Sequence, residues 1–203
     1  KDAFYVRPEG MKFSTKEGMS FRDSHQDRPI LSHDEAMTIQ KMVDAVHTHP
    51  SAKRLFSHGK AEQSVFVEDS HGTLRKSRMD WISEGGNVLP DLKTCESARA
   101  EDFEKSIWQY RYFVQAAYYI ANCKLAGLEK SAFAFVCVEK NAPYAVACYS
   151  LDETAIEAGK MMFNRDLAVY RQCVESGKWP GYPTEILNIG LPAWSQKLIE
   201  QIV

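Results

Sequence analysis

The chain has 203 residues, of which 44% are hydrophobic and 26% charged, and its formal net charge is −2. This composition excludes a disordered chain and predicts one domain, long enough to bury a substantial core. The overall electrostatic field will not attract a polyanion, so any nucleic-acid binding must rely on local basic patches, metal ions or wrapping of the substrate.

The cysteines are dispersed and show no zinc-binding spacing; they are Cys95, Cys123, Cys137, Cys148 and Cys173. We therefore predict reduced, mostly buried thiols and a cytoplasmic protein. No apolar run approaches 18 residues, so no membrane span is predicted. The sequence starts at Lys1 and shows no signal peptide, and we expect a fragment or a processed form of a longer protein.

The N-terminal third predicts an extended arm followed by two helices. Residues 1–31 form the arm, because prolines and glycines interrupt a polar stretch. A capping box, Ser32 to Glu35, opens a helix that closes before Pro50. A second short helix covers 51–58. His47 and His49 leave two readings open, a metal-binding pair or histidines that face the dipole at the end of a helix.

Three strands follow, over 63–68, 74–82 and 88–94, with turns at 70–72 and 84–87. The second strand carries the densest basic cluster of the chain, Arg75, Lys76 and Arg78. This cluster predicts either phosphate contacts or charged residues on a solvent-facing strand.

The third strand contains an Asp-x-Lys pattern. Strand side chains alternate between faces, so Asp91 and Lys93 point to the same side, and Asp80 joins them if the hairpin pairs across its turn. Two hard oxygen donors suit Mg²⁺ or Mn²⁺, and a lysine is a point charge suited to a phosphate or an attacking water. A surface ion pair is the alternative interpretation. The apolar neighbours of both acids favour a functional role.

The remaining sequence predicts a strong helix over 101–125, strands over 132–138 and 145–149, and a long helix from Asp152 to about 176. The tail ends in a short amphipathic segment, 194–203. The 101–125 helix carries a second row of side chains, Trp108, Tyr112, Gln115 and Tyr119, which serves either packing or function. We predict an α/β fold with a mixed sheet flanked by helices on both sides.

These motifs occur in the order that is typical of PD-(D/E)XK nucleases, which the chain resembles over roughly residues 1–195. The motif residues are Glu62, Asp80 in Arg78-Met79-Asp80, and the run Pro90-Asp91-Leu92-Lys93. Gln115 and Tyr119 resemble the glutamine–tyrosine motif of the RecB and lambda-exonuclease branch. More narrowly, the chain is similar to the nuclease domains of RecE-type prophage exonucleases, including exodeoxyribonuclease VIII.

The resemblance implies a role for each motif residue. Asp80, Asp91, the main-chain carbonyl of Leu92, and Glu62 would hold Mg²⁺, with Mn²⁺ as a substitute. Lys93 and Gln115 would complete the catalytic set. The predicted DNA contacts are Arg75, Lys76, Arg78, Tyr112 and Tyr119.

The resemblance also implies a single nuclease domain over 1–203, with an arm (1–31), a catalytic core (32–195) and a tail (196–203). It implies ATP-independent 5′ to 3′ digestion of linear double-stranded DNA ends, which leaves 3′ single-stranded tails for recombination. A ring-shaped homo-oligomer and a single-strand annealing protein are the implied partners. The sequence departs from this family in one place, because the upstream helix with a metal-binding histidine has no counterpart.

Three alternatives remain open at this point. The chain is an endonuclease or repair nuclease of the same fold, a DNA-binding or assembly module with a weakened site, or a metal hydrolase acting on small phosphates. The complete motif set argues against a decayed site. The basic strand and the aromatic row have less use in a hydrolase of small phosphates.

Overall fold

The computed structural model describes residues 3–192 and Ser195. In chain order its elements are β1 (Tyr5–Val6), α1 (Lys16–Ser24), β2 (Ile30–Leu31), α2 (His33–Thr48), α3 (Pro50–Leu55), β3 (Gly59–Glu68), β4 (Leu74–Ser83), β5 (Val88–Cys95), α4 (Ala100–Gln109), α5 (Tyr112–Leu125), β6 (Ala132–Glu139), β7 (Val146–Ser150) and α6 (Glu153–Ser176). The predicted strands are all present, and β3 begins four residues earlier than expected.

The chain divides into two compact units, residues 1–166 and 167–203. The second unit holds the last part of α6 and a tail without regular structure up to residue 192, in which the rings of Tyr170 and Trp179 pack edge to face at 5.8 Å. The amphipathic segment predicted over 194–203 lies outside the described residues, apart from Ser195. Among the described residues, no helix is both long enough and apolar enough to cross a membrane.

The prediction of an extended arm over residues 1–31 is wrong. β1 pairs in parallel with β2, and α1 lies between them. Thr15 caps α1 by accepting a hydrogen bond from the Gly18 amide at 3.1 Å. Gly18 is required there, because a Cβ would lie 2.0 Å from the carbonyl oxygen of Lys12. The polar, glycine-containing stretch therefore folds back on itself.

The central strands form two hydrogen-bonded groups. β3 and β4 form an antiparallel hairpin, while β5, β6 and β7 form a mixed sheet in which β5 is parallel and β7 antiparallel to β6. The expected pairing of β4 with β5 across their turn is not found, because these strands share no ladder among the described residues. A side-chain contact of Asp80, described below, joins them instead.

β6 separates two hydrophobic cores. Phe133, Phe135 and Cys137 point to the side where α4 and α5 supply Phe103 and Ala116. The alternate residues Val136 and Val138 pack with Val46 and Ala52 of α2 and α3 on the opposite side. Because strand side chains alternate, this division places helices on both faces of the sheet. The predicted α/β architecture is confirmed.

The single helix predicted over 101–125 is instead two helices. Arg111 adopts the left-handed conformation, with φ 56° and ψ 36°, between α4 and α5. This conformation is costly for a residue with a side chain. The Arg111 guanidinium forms an ion pair with Asp166 of α6, which holds the break in place.

Lys130 holds the β4–β5 turn in place. This buried ammonium group donates to the carbonyl oxygens of Ser83 at 2.8 Å and Gly86 at 2.7 Å. Gly85 and Gly86 both have positive φ, which the turn requires. The main-chain oxygen of Asn87 accepts hydrogen bonds from residues 131 and 132, so the turn is tied to the start of β6.

We expect Lys130→Met to lower the free energy of unfolding by about 1–3 kcal/mol, because two carbonyl oxygens lose a charged donor. Urea denaturation measures this change. Lys124→Met, at an exposed lysine near the end of α5, is the matched control and should have little effect. Equal stability of the two variants would contradict the role assigned to Lys130.

Candidate active site

Glu62 and Asp80 face each other across the β3–β4 hairpin. The pairs on either side, Ala61 with Trp81 and Gln63 with Met79, place them in register. Glu62 adopts a positive φ of 54°, which is unusual for a strand residue. Its Oε2 accepts a hydrogen bond at 2.6 Å from Nε of Arg78, the neighbour of Asp80 on the exposed face. Glu62 was expected just before this strand and lies within it.

Asp80 connects the hairpin to the sheet. Its Oδ2 accepts a hydrogen bond from the main-chain amide of Leu92 at 2.9 Å. The carboxylate therefore takes the place of a main-chain acceptor between β4 and β5. This contact brings Asp80 beside the Asp91–Leu92–Lys93 segment.

Asp91 is buried, with 2% of its surface exposed, and it is partnered on both oxygens. Gln115 of α5 donates from Nε2 to Oδ1 at 2.7 Å. The Lys93 ammonium group forms an ion pair with Oδ2. The predicted shared face of Asp91 and Lys93 is therefore present, and it is directed toward α5 rather than toward solvent.

Burial raises the pKa of Asp91 to about 6, since the interior disfavours its charged form. The positive charge of Lys93 and its hydrogen bond act in the opposite direction, as does Gln115, while the negative charge of Asp80 adds to the rise. Asp80 and Asp91 are thus close enough to repel each other. Two carboxylates held together in this way form a site with unbalanced negative charge.

The aromatic row lies over this site only in part. The Lys93 ammonium group is 4.7 Å from the centre of the Tyr112 ring, which therefore supports the lysine. Burial raises the pKa of Tyr119, although hydrogen bonds with the Arg78 main chain and Gln115 counteract it. Trp108 stacks on Phe113 and stays 72% exposed. Tyr112, Gln115 and Tyr119 are brought to the site.

The structure removes Arg75 from the predicted set of DNA contacts. Its side chain is 10% exposed and donates from Nε and Nη2 to Asp69 Oδ2, at 3.0 and 2.6 Å. Burial alone would raise the pKa of Asp69, but hydrogen bonds from Arg75, Thr73 and His71 hold it well below its usual range. Lys76 and Arg78 lie on the other face of β4 and are exposed.

The oxygen donors fit a hard divalent cation. Among residues 3–192 and Ser195, no group of three or more His, Cys, Asp or Glu side chains could hold a metal ion. Within that part of the chain, Asp80 and Asp91 therefore stand as a pair of carboxylates. Mg²⁺ commonly takes one or two carboxylates and completes its shell with water and substrate phosphate, so this pair suffices for such an ion.

An apolar cleft of about 820 Å³ opens beside Asp80 and Glu62. It is lined by an apolar face of α2 and by residues from α3, β4 and β5. Ile39 and Val43 remain 38% and 42% exposed there. This cleft could not be predicted from the sequence, because an apolar helix face has the same pattern whether it is covered or open.

Of the two candidate histidines, only His47 lies at the cleft. His49 instead caps α3, with Nδ1 accepting a hydrogen bond from the Ala52 amide at 3.3 Å. The predicted possibility of a metal-binding pair is therefore not supported by the geometry, and the interpretation as helix-end histidines fits better.

The sequence matches the family described as "PDDEXK-like domain of unknown function (DUF3799)" over residues 4–188. Among solved structures, a candidate exonuclease from Eubacterium rectale aligns with a TM-score of 0.61 and 12% identity, covering 88% of this chain and 73% of that chain. At this identity the likeness concerns the fold. The structure of SSO0001 aligns with a TM-score of 0.33 and 19% identity, covering 61% and 66%. No curated protein matches.

The raised pKa of Asp91 predicts a pH-dependent effect of Asp91→Asn. The native state binds the Asp91 proton more tightly than the unfolded state does, so the charge destabilises the fold above pH 6 and not below pH 4. A rise from 3.8 to about 6 corresponds to roughly 3 kcal/mol. The neutral variant should therefore gain up to that amount of stability, relative to the parent chain, between pH 4 and pH 7.

Urea denaturation of both proteins in EDTA, at several pH values across this range, measures the difference. Glu129→Gln at an exposed carboxylate controls for the general effect of removing one negative charge. A stability difference that does not change with pH would contradict the assignment.

Proposed function

Because the chain belongs to the PDDEXK-like domain family, we propose that it is a metal-dependent nuclease that hydrolyses phosphodiester bonds in DNA. The observation that carries this proposal is the buried Asp91, which is partnered by Lys93 and Gln115 and lies beside Asp80. A surface ion pair would require none of this burial. The arrangement supports catalysis better than it supports stability, because buried charges are costly to the fold.

Each residue of the site has a task in this reaction. Asp80 and Asp91, with the Leu92 carbonyl, would hold the Mg²⁺ or Mn²⁺ ion. When bound, such an ion polarises the scissile phosphate and lowers the pKa of a water molecule. Lys93 places a positive charge where negative charge develops on the phosphate oxygens. Gln115 fixes the Asp91 carboxylate, and the Tyr112 ring fixes Lys93.

The finer features of the activity rest on the resemblance to RecE-type exonucleases. We propose ATP-independent digestion of linear double-stranded DNA from 5′ to 3′, leaving 3′ single-stranded tails for an annealing protein. A ring-shaped homo-oligomer in the cytoplasm belongs to the same proposal. An acidic chain can still form a ring with a basic channel, since the exposed cations Lys76 and Arg78 lie together on one strand.

A second candidate is a DNA-binding or assembly module with weak catalysis. The absence of a three-residue acidic or histidine cluster in the described part of the chain favours it. Cleavage assays separate this candidate from an active nuclease.

We expect linear duplex DNA, labelled separately at its 5′ and 3′ ends, to release the 5′ label early in the presence of Mg²⁺ and without ATP. Asp91→Asn and Lys93→Met should each lower the cleavage rate roughly 100-fold or more, because the first weakens the proposed metal site and the second removes the positive charge at the reacting phosphate. Glu129→Ala should cleave like the parent chain. Gel analysis of the labelled products measures all four proteins.

Near-normal cleavage by Asp91→Asn would contradict the proposed site. Cuts within covalently closed circles would identify an endonuclease of the same fold. DNA binding without cleavage by the parent chain would favour the binding module.

Arg78→Ala should weaken DNA binding and reduce the dependence of affinity on salt by about one counterion, since an exposed phosphate contact is lost. Fluorescence anisotropy over a range of NaCl concentrations, without divalent ions, measures this slope. Arg22→Ala, at an exposed arginine of α1, is the matched control. An unchanged slope for Arg78→Ala would show that this residue does not contact phosphate.

A further inference from the structure

The β3–β4 hairpin has one buried face and one open face. Ser77 and Met79 are buried, and Ser77 Oγ accepts a hydrogen bond from Asn122 of α5 at 3.3 Å. Paired residues of an antiparallel ladder point to the same side. The open face therefore carries the pairs Ser64 with Arg78, Phe66 with Lys76, and Glu68 with Leu74. Glu62 and Asp80 lie at the active-site end of this series, where the ladder is interrupted at Glu62.

Phe66 is unusually exposed on this open face. Its side chain is 70% exposed, and its one described ring contact is with the Lys76 ammonium group, 5.5 Å from the ring centre. Single exposed apolar residues are common and need no explanation. Phe66 differs in its position, because it shares a face with Asp80 and is accompanied by two exposed cations, Lys76 and Arg78. Arg78 also forms an ion pair with Glu62, and both side chains stay 59% exposed.

The spacing along the hairpin suits a DNA strand. Phe66 pairs with Lys76, which lies four residues from Asp80 along β4, and four residues of a strand span roughly 14 Å. This distance corresponds to about four stacked nucleotides at 3.4 Å each. The next pair contains Glu68, whose negative charge would repel a phosphate. The face favourable to DNA therefore runs from Asp80 to Phe66 and ends there.

We propose that this face is a binding track for single-stranded DNA, in which Phe66 stacks on a nucleobase and Lys76 and Arg78 contact the adjoining phosphates. The track rests on the proposed nuclease function and extends it by naming how the strand is held outside the reacting centre. An aromatic ring for any base, combined with cations for the backbone, is the combination by which proteins hold single strands without reading sequence.

The test measures base stacking without cleavage. Oligothymidine carrying one 2-aminopurine is titrated with the protein in EDTA, and anisotropy and quenching are recorded for each position of the probe. A second oligonucleotide series carries one abasic site instead. For the parent chain, one abasic position should weaken binding roughly 5- to 150-fold, because stacking on one base is lost.

Phe66→Ala should bind the intact strand more weakly by a similar factor and should no longer be sensitive to the abasic site. Phe66→Trp should keep the quenching, whereas Phe66→Leu, which remains apolar but has no aromatic face, should lose it. Because Phe66 is mostly exposed, thermal melting of these variants should match the parent chain. Lys76→Gln should lower the salt dependence of binding and retain the quenching.

The proposal is overturned if Phe66→Ala binds the oligonucleotides as the parent chain does, or keeps the abasic penalty. It is also overturned if Phe66→Ala only changes the mass of the protein in sedimentation, which would identify the face as a contact between chains. Failure of the nuclease proposal is distinguishable. A parent chain that shows stacking in EDTA but no cleavage in Mg²⁺ supports the track and contradicts catalysis.

Discussion

Asp91 carries a carboxylate inside the protein, and the position of its neighbours follows from the need to compensate this charge. A buried charge without partners costs several kcal/mol, so it persists only where donors are fixed in place. Lys93 comes from the same strand two residues later, which the strand period guarantees. Gln115 comes from a separate helix, so the height and rotation of α5 over β5 must also be fixed.

Because the helix breaks at Arg111, α5 can be placed over β5 independently of α4. With α5 starting anew at Tyr112, its rotation is independent of α4, and Tyr112 and Gln115, one turn apart, both face Lys93 and Asp91. In an unbroken helix the rotation of one segment would determine that of the other. The Arg111 side chain forms an ion pair with Asp166, which comes from α6, far along the chain.

Local periodicity explains what the sequence could predict. The strands and the shared side of Asp91 and Lys93 follow from an alternation that each strand carries within itself. The break at Arg111 could not be predicted, because the apolar pattern continues through it and neither glycine nor proline marks it. Arg75 was misassigned because its partner, Asp69, is positioned by the conformation of a turn, which charge patterning does not reveal.

The pairing between elements also could not be predicted from the sequence. The β4–β5 turn suggested an ordinary hairpin, yet the Asp80 carboxylate accepts the Leu92 amide in place of a main-chain partner. The side chains of β5 next to this contact alternate between two faces. Asp91 points toward α5 into the protein, whereas Leu92 is 42% exposed and lines the open cleft on the other side.

Asp80 therefore lies between the α5 side, from which water is excluded, and an accessible surface. On the α5 side, exclusion of water strengthens the electrostatic effect of Lys93 on its surroundings. On the other side, the cleft and the open face of the β3–β4 hairpin give a phosphate its approach. A DNA strand bound on that face, along Arg78 and Lys76, would approach the carboxylates from the side on which Asp80 is accessible. Under the proposed function, the same hairpin would supply a metal-binding carboxylate at one end and the surface that leads a substrate to it.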